Sequence, residues 1–425
     1  MRTIYPHTQK RSTKKNRLSN KHSLSVGIYL DNAASTPIDA RVLKAMNLAY
    51  KKYGNPSSFN NSGREARKEL ESARLVIARF VGAKPKEIVF TSSASEANNL
   101  ALVGILGDKG KGLPAGRQGT VLTTATEHPS VLEPLKNLKN INLKFIPINK
   151  EGVVDLEKFK KMLTSDCRLV SVMYANNEIG TIQPIRQMSK IIRDFNQKLE
   201  IGNWKLKIDG TKKVLFHIDA CQATGFLDMN INHLGADLLT FNGSKIYGPR
   251  GIGVLYVRHG INLQRFILGG SQEHGFRAGT ENMPAIVGLA KAISLINEHG
   301  TMSTIKLRDY AIKKLEEISG VILNGSRGAD RLANNISICI PNLESENLLL
   351  ELDKYGISAG SGSACTSHAV EPSHVLKAIG VSSEYINGAI RFSLGRSTTK
   401  KDIDYLVKTL VKIIVILNKR YPRLK

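Results

Sequence analysis

The chain has 425 residues and a formal charge of +25 from 61 basic and 36 acidic side chains, a length that exceeds one ordinary domain and buries a large core. Its four cysteines form no C-x-x-C pair and its ten histidines no H-x-x-x-H or H-E-x-x-H spacing, which argues against a disulfide framework and a metal centre and for a reducing, cytoplasmic setting. No apolar run reaches the roughly 18 residues of a membrane span.

Residues 1–27 carry seven Lys or Arg and no acid, with no helical stripe among their apolar residues, and are expected to form a disordered basic extension. The basic excess continues through the rest of the chain. Such a surface can attract transfer RNA or acidic protein partners by long-range steering, but nucleic-acid binding is not the expected primary function.

Glu87-Ile88-Val89-Phe90-Thr91 reads as a short buried strand, followed by Ser92-Ser93-Ala94-Ser95-Glu96 and a helical run from Ala97. Ser93 and Glu96 have capping-box spacing, which a helix start alone explains. The same free N–H groups and the Ser95 hydroxyl would also hold a phosphate, and the sequence leaves both readings open. Gly110–Gly119 is expected to be a surface loop ahead of a strand at Thr120–Leu122. A further apolar strand covers Leu169–Met173. Lys198–Lys213, with Gly202-Asn203-Trp204 and Asp209-Gly210, reads as an added hairpin, with Trp204 covering it.

Val214-Leu215-Phe216-His217-Ile218-Asp219 is an apolar strand that ends in a carboxylate, either a strand-end cap or a group facing a ligand. Leu239-Thr240-Phe241-Asn242 is another, followed by Gly243-Ser244-Lys245 and a Gly-Pro-Arg-Gly turn. On spacing alone Lys245 is one surface lysine among many. Beside Asp219 it supplies the second of two groups that pyridoxal phosphate needs: an amine for imine chemistry, and an anion that keeps the pyridine nitrogen protonated. Gly253–Tyr256 adds a further strand, and the alternation of strands with helical patterns argues an α/β chain with a central sheet. Tyr405–Tyr421 reads as an amphipathic helix.

The motifs Leu30-Asp31-Asn32-Ala33-Ala34-Ser35-Thr36-Pro37, Tyr53-Gly54-Asn55-Pro56-Ser57-Ser58, Glu127-His128, Asn176-Asn177-Glu178-Ile179-Gly180, His217-Ile218-Asp219-Ala220, Lys245-Ile246-Tyr247-Gly248-Pro249, Arg277-Ala278-Gly279-Thr280 and Ser361-Gly362-Ser363-Ala364-Cys365-Thr366-Ser367 stand in one order. They resemble the motifs of cysteine desulfurases of the iron–sulfur-cluster type, in the class V aminotransferase family. The likeness runs from about Ile28 to the last helix.

The resemblance implies the type I fold of pyridoxal-phosphate-dependent transferases: a large domain with a mainly parallel central sheet flanked by helices, and a smaller α+β domain. It places the N-terminal segment 28–40 with the small domain, the cofactor domain at 41–283 and the small domain at 284–425. It implies that Lys245 carries the cofactor as an imine and moves protons, that Asp219 pairs with the pyridine nitrogen, and that His128 stacks on the ring and trades protons with the substrate as a further catalytic group. Gln222 and Asn177 would lie near the phenolic oxygen, with Asn177 also near the substrate. Ala94 and Ser95 would meet the phosphate, and Thr280 would reach the phosphate of the neighbouring subunit, hence a homodimer. Arg391 would clamp the substrate carboxylate, a task suited to a guanidinium fork, while Arg396 is read as structural. Cys365 would be the nucleophile, on a Gly- and Ser-rich loop from Ala359 to His368 whose glycines let it swing. The implied reaction converts L-cysteine to L-alanine and leaves a persulfide on Cys365 for an acceptor protein, in iron–sulfur assembly or transfer-RNA thiolation.

One stretch departs from the family pattern. Asn242 and Ser244 stand where a serine and a histidine usually help to bind phosphate, and Ser95 replaces a threonine. The hydroxyls and an amide remain, but an imidazole's positive charge does not. The three are read as subfamily drift. The competing readings are another class V enzyme, an aminotransferase or a selenocysteine lyase, and a cofactor-free binding module of a sulfur-transfer assembly.

Overall fold

Leu238–Asn242 is buried at all but its last residue, and of the strands on either side of it Leu215–Asp219 is buried at all but its first and Gly253–Val257 throughout. Apolar runs of this kind, without polar alternation, are what a sheet covered on both faces requires. The computed structural model describes residues 27–107, 119–201, 213–298, 301–362 and 372–421. The basic extension, Trp204 and Cys365 lie outside these residues.

The chain opens with β1 (Ile28–Tyr29), α1 (Ala40–Tyr50) and α2 (Asn61–Val81). It then passes through β2 (Ile88–Thr91), α3 (Ala94–Leu106), β3 (Gly119–Thr123), α4 (Pro129–Asn137) and β4 (Ile141–Phe145). Next come α5 (Leu156–Met162), β5 (Cys167–Met173), α6 (Ile185–Ile201), β6 (Leu215–Asp219), α7 (Ile231–Leu234), β7 (Leu238–Asn242) and β8 (Gly253–Val257). After α8 (Met283–Ser294) follow α9 (Thr301–Glu316), β9 (Ile322–Leu323), β10 (Asn335–Cys339), α10 (Ser345–Lys354) and β11 (Ile357–Ser358). The chain closes with α11 (His374–Ala378), α12 (Ser383–Ile386), β12 (Ala389–Ser393) and α13 (Lys400–Arg420).

Seven strands form the main sheet in the order β2-β8-β7-β6-β5-β3-β4, parallel except for β8, which runs against both of its neighbours. Side chains alternate between its two faces. Phe90, Val170, Phe216, Phe241 and Val254 pack on one side with residues of α1, α2, α6 and α8. Val89, Val121, Leu169, Leu238 and Leu255 pack on the other against Ala97, Leu100 and Ala101 of α3 and Val131 and Leu135 of α4. The carboxyl ends of β5, β6 and β7 therefore open at one edge, where α/β sheets bind ligands.

A second core lies beside the first. Antiparallel β12-β10-β9 and the parallel pair β1-β11 are covered by α9, α10 and α13, with Leu30, Ile338, Leu352, Phe392, Leu406 and Ile413 at its centre. The sheet's own core runs on through α8 to Leu295. In α13 the buried positions Ile403, Leu406, Leu410, Ile413 and Leu417 fall at spacings of three and four, the stripe of an amphipathic helix.

Three local expectations are corrected. Helix α3 begins at Ala94, because Ser93 caps it by accepting the Glu96 N–H, so the helical run starts three residues before Ala97. The box is half-formed: the Glu96 carboxylate accepts from the Ser92 N–H and hydroxyl and from Arg277, not from the Ser93 N–H. Helix α6 continues through Ile201, so 198–201 are helical rather than the start of a hairpin, and residues 202–212 lie outside the described residues. The loop expected at 110–119 also lies outside them except for Gly119, which opens β3. Among the described residues no helix is long and apolar enough to cross a membrane.

Candidate active site

A cavity of about 250 Å³ opens at the carboxyl edge of the sheet and is lined by Ser93, Ala94, Ser95, His128, Asn177, Asp219, Gln222, Asn242, Lys245 and Arg391, among others. Of the residues expected at the site, Ser244 and Thr280 are absent from this wall. Ser244 sits one residue before Lys245 with its hydroxyl 3.5 Å from Asn242 Oδ1. Thr280 is exposed on the loop after Gly279. Cys365 lies outside the described residues.

Asp219 is the last residue of β6 and is buried. Its Oδ1 accepts the Cys221 N–H at 3.0 Å, and its Oδ2 accepts from the Asn98 amide at 2.8 Å. Asn98 also donates to Ser130 Oγ at 2.9 Å, and Ser130 Oγ lies 2.8 Å from His128 Nδ1. The Ser130 backbone N–H donates to the same ring nitrogen at 3.1 Å, which fixes Nδ1 as an acceptor and leaves the proton of the neutral ring on Nε2. Burial holds the His128 imidazole below its ordinary range, with the Asp219 charge acting the other way and Lys245 and His374 adding to the depression. His128 is thus a neutral ring at pH 7.

Lys245 ends the short turn after β7. Its Nζ donates to the carbonyls of Ala33 and Ala34 at 2.8 and 2.6 Å, and Gln222 donates to the Ala33 carbonyl at 3.0 Å. The N-terminal segment is clasped to this turn: the Thr36 N–H and hydroxyl both donate to the Ser244 carbonyl, and the Tyr247 N–H donates to Thr36 Oγ1. This is the local reason for the Asp31–Pro37 motif. Tyr247 takes a left-handed φ of 60°, and Arg396 stacks over its ring at 4.0 Å while reaching Asp39. Arg396 thus secures the turn that carries the lysine.

Arg391 enters from the other core, in the middle of β12, and is buried. It donates to Asp31 Oδ1 at 2.8 Å and to the Asn177 carbonyl at 3.2 Å, while its Nε has no partner. Gly360 pairs with Arg391 through two backbone hydrogen bonds, and a Cβ at Gly360 would lie 2.7 Å from the guanidinium and 2.8 Å from Asp31. The segment that leads towards Cys365 therefore runs directly over the Arg391–Asp31 pair. Its glycines at 360 and 362 answer to close packing.

Several groups that shape the site were not singled out from the sequence. Asn98 and Ser130 form the bridge from Asp219 to His128. An asparagine among the apolar residues of α3 was the one available signal for it. Glu178 and His374 also line the cavity, and His374 Nε2 lies 2.9 Å from the Glu127 carbonyl, so that nitrogen carries the proton. Burial pushes the Glu127 carboxyl up to about 8, against a hydrogen bond from Thr124. Burial likewise pushes the His217 imidazole, held between Ser171 and Thr240, down to about 4.

An amine, a buried carboxylate, a neutral imidazole, a helix N-terminus with serine hydroxyls and a guanidinium thus face one small volume. The set suits a heteroaromatic aldehyde that bears an anionic group, together with a carboxylate-bearing substrate. Asn98 Oδ1 and Arg391 Nε, both buried without a partner, are polar atoms left over by the protein's own contacts.

Comparison with known proteins gives matches over nearly the whole chain. The family model for aminotransferase class-V matches residues 28–201 and 205–406. A cysteine desulfurase IscS of Dictyoglomus turgidum is 43% identical over 397 residues, covering 91% of this chain and 94% of that protein. Among solved structures, a NifS-like protein superposes with a TM-score of 0.81 at 34% identity, covering 92% of this chain and 100% of the other. A structure described as SspA in complex with cysteine gives 0.74 at 29% identity, over 88% of this chain and 100% of that one.

Proposed function

Because the chain belongs to the class-V aminotransferase family, we propose that it is a pyridoxal-phosphate-dependent cysteine desulfurase that converts L-cysteine to L-alanine and captures the sulfur as a persulfide on Cys365. The observation that carries this reading is the convergence of Lys245, Asp219 and Arg391 on one cavity, with the approach to Cys365 packed on the arginine at Gly360. A plain aminotransferase has no use for a thiol delivered there.

In this reading the cofactor's ring would sit between His128 and the sheet edge, its nitrogen against Asp219. Its phosphate would lie at the α3 N-terminus with Ala94, Ser95 and Asn242, with Ser244 behind Asn242 rather than on the wall, and its phenolic oxygen near Gln222 and Asn177. When bound, pyridoxal phosphate supplies an electron sink beside the substrate's α-carbon. Arg391 would grip the substrate carboxylate through its fork, aided by its unpartnered Nε. Lys245 Nζ would move the α-proton, since it is the amine facing the cavity. The neutral His128, held by Ser130 Nδ1-side and with its proton on Nε2, would keep the ring face in place without adding charge.

Cys365 would then attack the substrate sulfur as a thiolate, the nucleophilic form. A sulfur–sulfur bond forms, the carbon–sulfur bond breaks with its electron pair left on carbon, and protonation there completes alanine. The products balance as one alanine and one persulfide for each cysteine.

Thr280, exposed and away from its own cavity, fits a role at the phosphate of a second subunit in a homodimer. Iron–sulfur scaffolds or transfer-RNA thiolation partners are the proposed sulfur acceptors, and the cytoplasm the proposed location. The test is an absorbance spectrum of the purified protein, followed by addition of L-cysteine and assay of alanine and of persulfide on Cys365. A visible band with both products is the expected result. Alanine formation that survives Cys365→Ala would point to another class V activity, and a colourless protein inert after added pyridoxal phosphate would sink the enzymatic reading.

A further inference from the structure

Glu178 is a carboxylate buried to 3% exposure at the rim of the cavity. Its backbone is fixed by three contacts: its N–H donates to Asn176 Oδ1, its carbonyl accepts from Asn335, and the chain turns back at Gly180 with φ 73°. The side chain therefore points from a rigid support. Its Oε2 accepts a hydrogen bond from the Ser373 hydroxyl, and Ser373 in turn caps α11 by accepting from the N–H groups of Val375 and Leu376. The same Oε2 lies 2.6 Å from where a Cβ on Gly362 would stand, and the Ser373 Cβ lies 3.2 Å from that point. The chain leaves the described structure just after Gly362 and is described again from residue 372, so the two ends of the Cys365 segment meet at one carboxylate.

We infer that Glu178 is a positioning residue for the Cys365 segment, tying both of its ends to the wall of the substrate cavity through a hydrogen bond to Ser373 and close packing against Gly362. The inference rests on the desulfurase reading for its consequence, namely that sulfur capture depends on this tether more than substrate binding does. Burial favours the neutral form of the Glu178 carboxyl, with the Ser373 hydrogen bond and the His374 and Arg391 charges acting the other way. A glutamine, which keeps an acceptor oxygen in the same place, should therefore replace it well. Alanine should not.

The test compares wild type, Glu178→Gln, Glu178→Ala and Ser373→Ala as holoenzymes in single turnover with L-cysteine, following the absorbance change on substrate addition and, separately, persulfide on Cys365. The expected result is a fall in the persulfide-forming rate of tenfold or more in Glu178→Ala and Ser373→Ala. The absorbance change should slow less than threefold, and Glu178→Gln should stay within threefold of wild type in both. Equal losses in both steps, or wild-type persulfide formation in Glu178→Ala, would overturn the inference. If Glu178→Ala does not fold, Ser373→Ala and Glu178→Gln still decide it. Hydrogen exchange over residues 359–376 reads the tether without turnover and should quicken at least fivefold in the two disruptive variants but not in Glu178→Gln; unchanged exchange would also overturn it. A wild-type chain that forms no persulfide would instead count against the desulfurase reading, while the exchange result would still decide the role of Glu178.

Discussion

Arg391 shows what a single side chain must satisfy here. Its guanidinium is already engaged by Asp31 and by the Asn177 carbonyl, so a substrate carboxylate has to be received by the remaining donors of the fork. A lysine offers one compact charge in place of that geometry. Arg391→Lys is expected to lower kcat/KM for L-cysteine by about 10- to 100-fold, mainly through KM, which steady-state kinetics will show. Glu127 makes a prediction about stability. Burial pushes its carboxyl in the folded chain up to about 8 from the ordinary 4.5, so between these two pH values the unfolded chain is ionised there while the folded chain keeps its proton. Folding stability from this group is therefore present below about 4.5 and lost as the pH rises towards 8. Glu127→Gln removes that loss and keeps an acceptor for Thr124. Relative to wild type its stability should rise by on the order of 1–3 kcal/mol from pH 5 to pH 8, measured by denaturant melts at both pH values. A difference that does not change with pH would contradict the assignment.

At the scale of elements, the start of α3 is set by its neighbour in the sheet. Gly253 opens β8 opposite both Thr91 and Asn242, and a Cβ there would fall 2.4 Å from the Ser93 carbonyl group. Gly253→Ala must displace the Ser93 backbone that caps the helix N-terminus. Retention of pyridoxal phosphate, followed by dialysis and absorbance, should weaken by about tenfold or more, since helix N-terminal anion sites depend on position. Unchanged retention would show that the phosphate is held elsewhere. The strands that lead to Asp219 and Lys245 were legible because each is a largely apolar run that ends in a polar group. The Asn98–Ser130 bridge was not legible: its members stand 32 residues apart, and a hydrogen bond between elements leaves no period in the sequence. The half-formed capping box has a similar cause. Glu96 fits the local rule, but Arg277, 181 residues away, competes for its carboxylate, and tertiary pairing wins over the local pattern.

For the whole molecule, the expected homodimer makes a complementation test possible. If Thr280 serves the partner's cofactor, a Thr280→Ala chain keeps Lys245 but lacks the donor that its partner should provide. A Lys245→Ala chain can provide that donor while being inactive itself. Mixed dimers of the two should regain activity above that of either variant alone, in proportion to the mixed fraction, after unfolding and refolding together. No gain on mixing would place Thr280 in a role within its own chain. The overall architecture was readable because the alternation of strands and helices and the ordered motifs agree. The pairing of Ile28-Tyr29 with Ile357-Ser358 was not readable, since nothing in the local composition of either pair says that they should meet.

That pairing affects how the protein is made. The carbonyls of Ala33 and Ala34 that receive the Lys245 amine belong to a segment anchored by β1 on β11 and by Asp31 on Arg391. During synthesis the first of these partners leaves the ribosome more than three hundred residues before the second. Until the last quarter of the polypeptide has emerged, Lys245 has no roof over it and Arg391 does not yet exist. A nascent chain therefore cannot close this cavity until most of its translation is over.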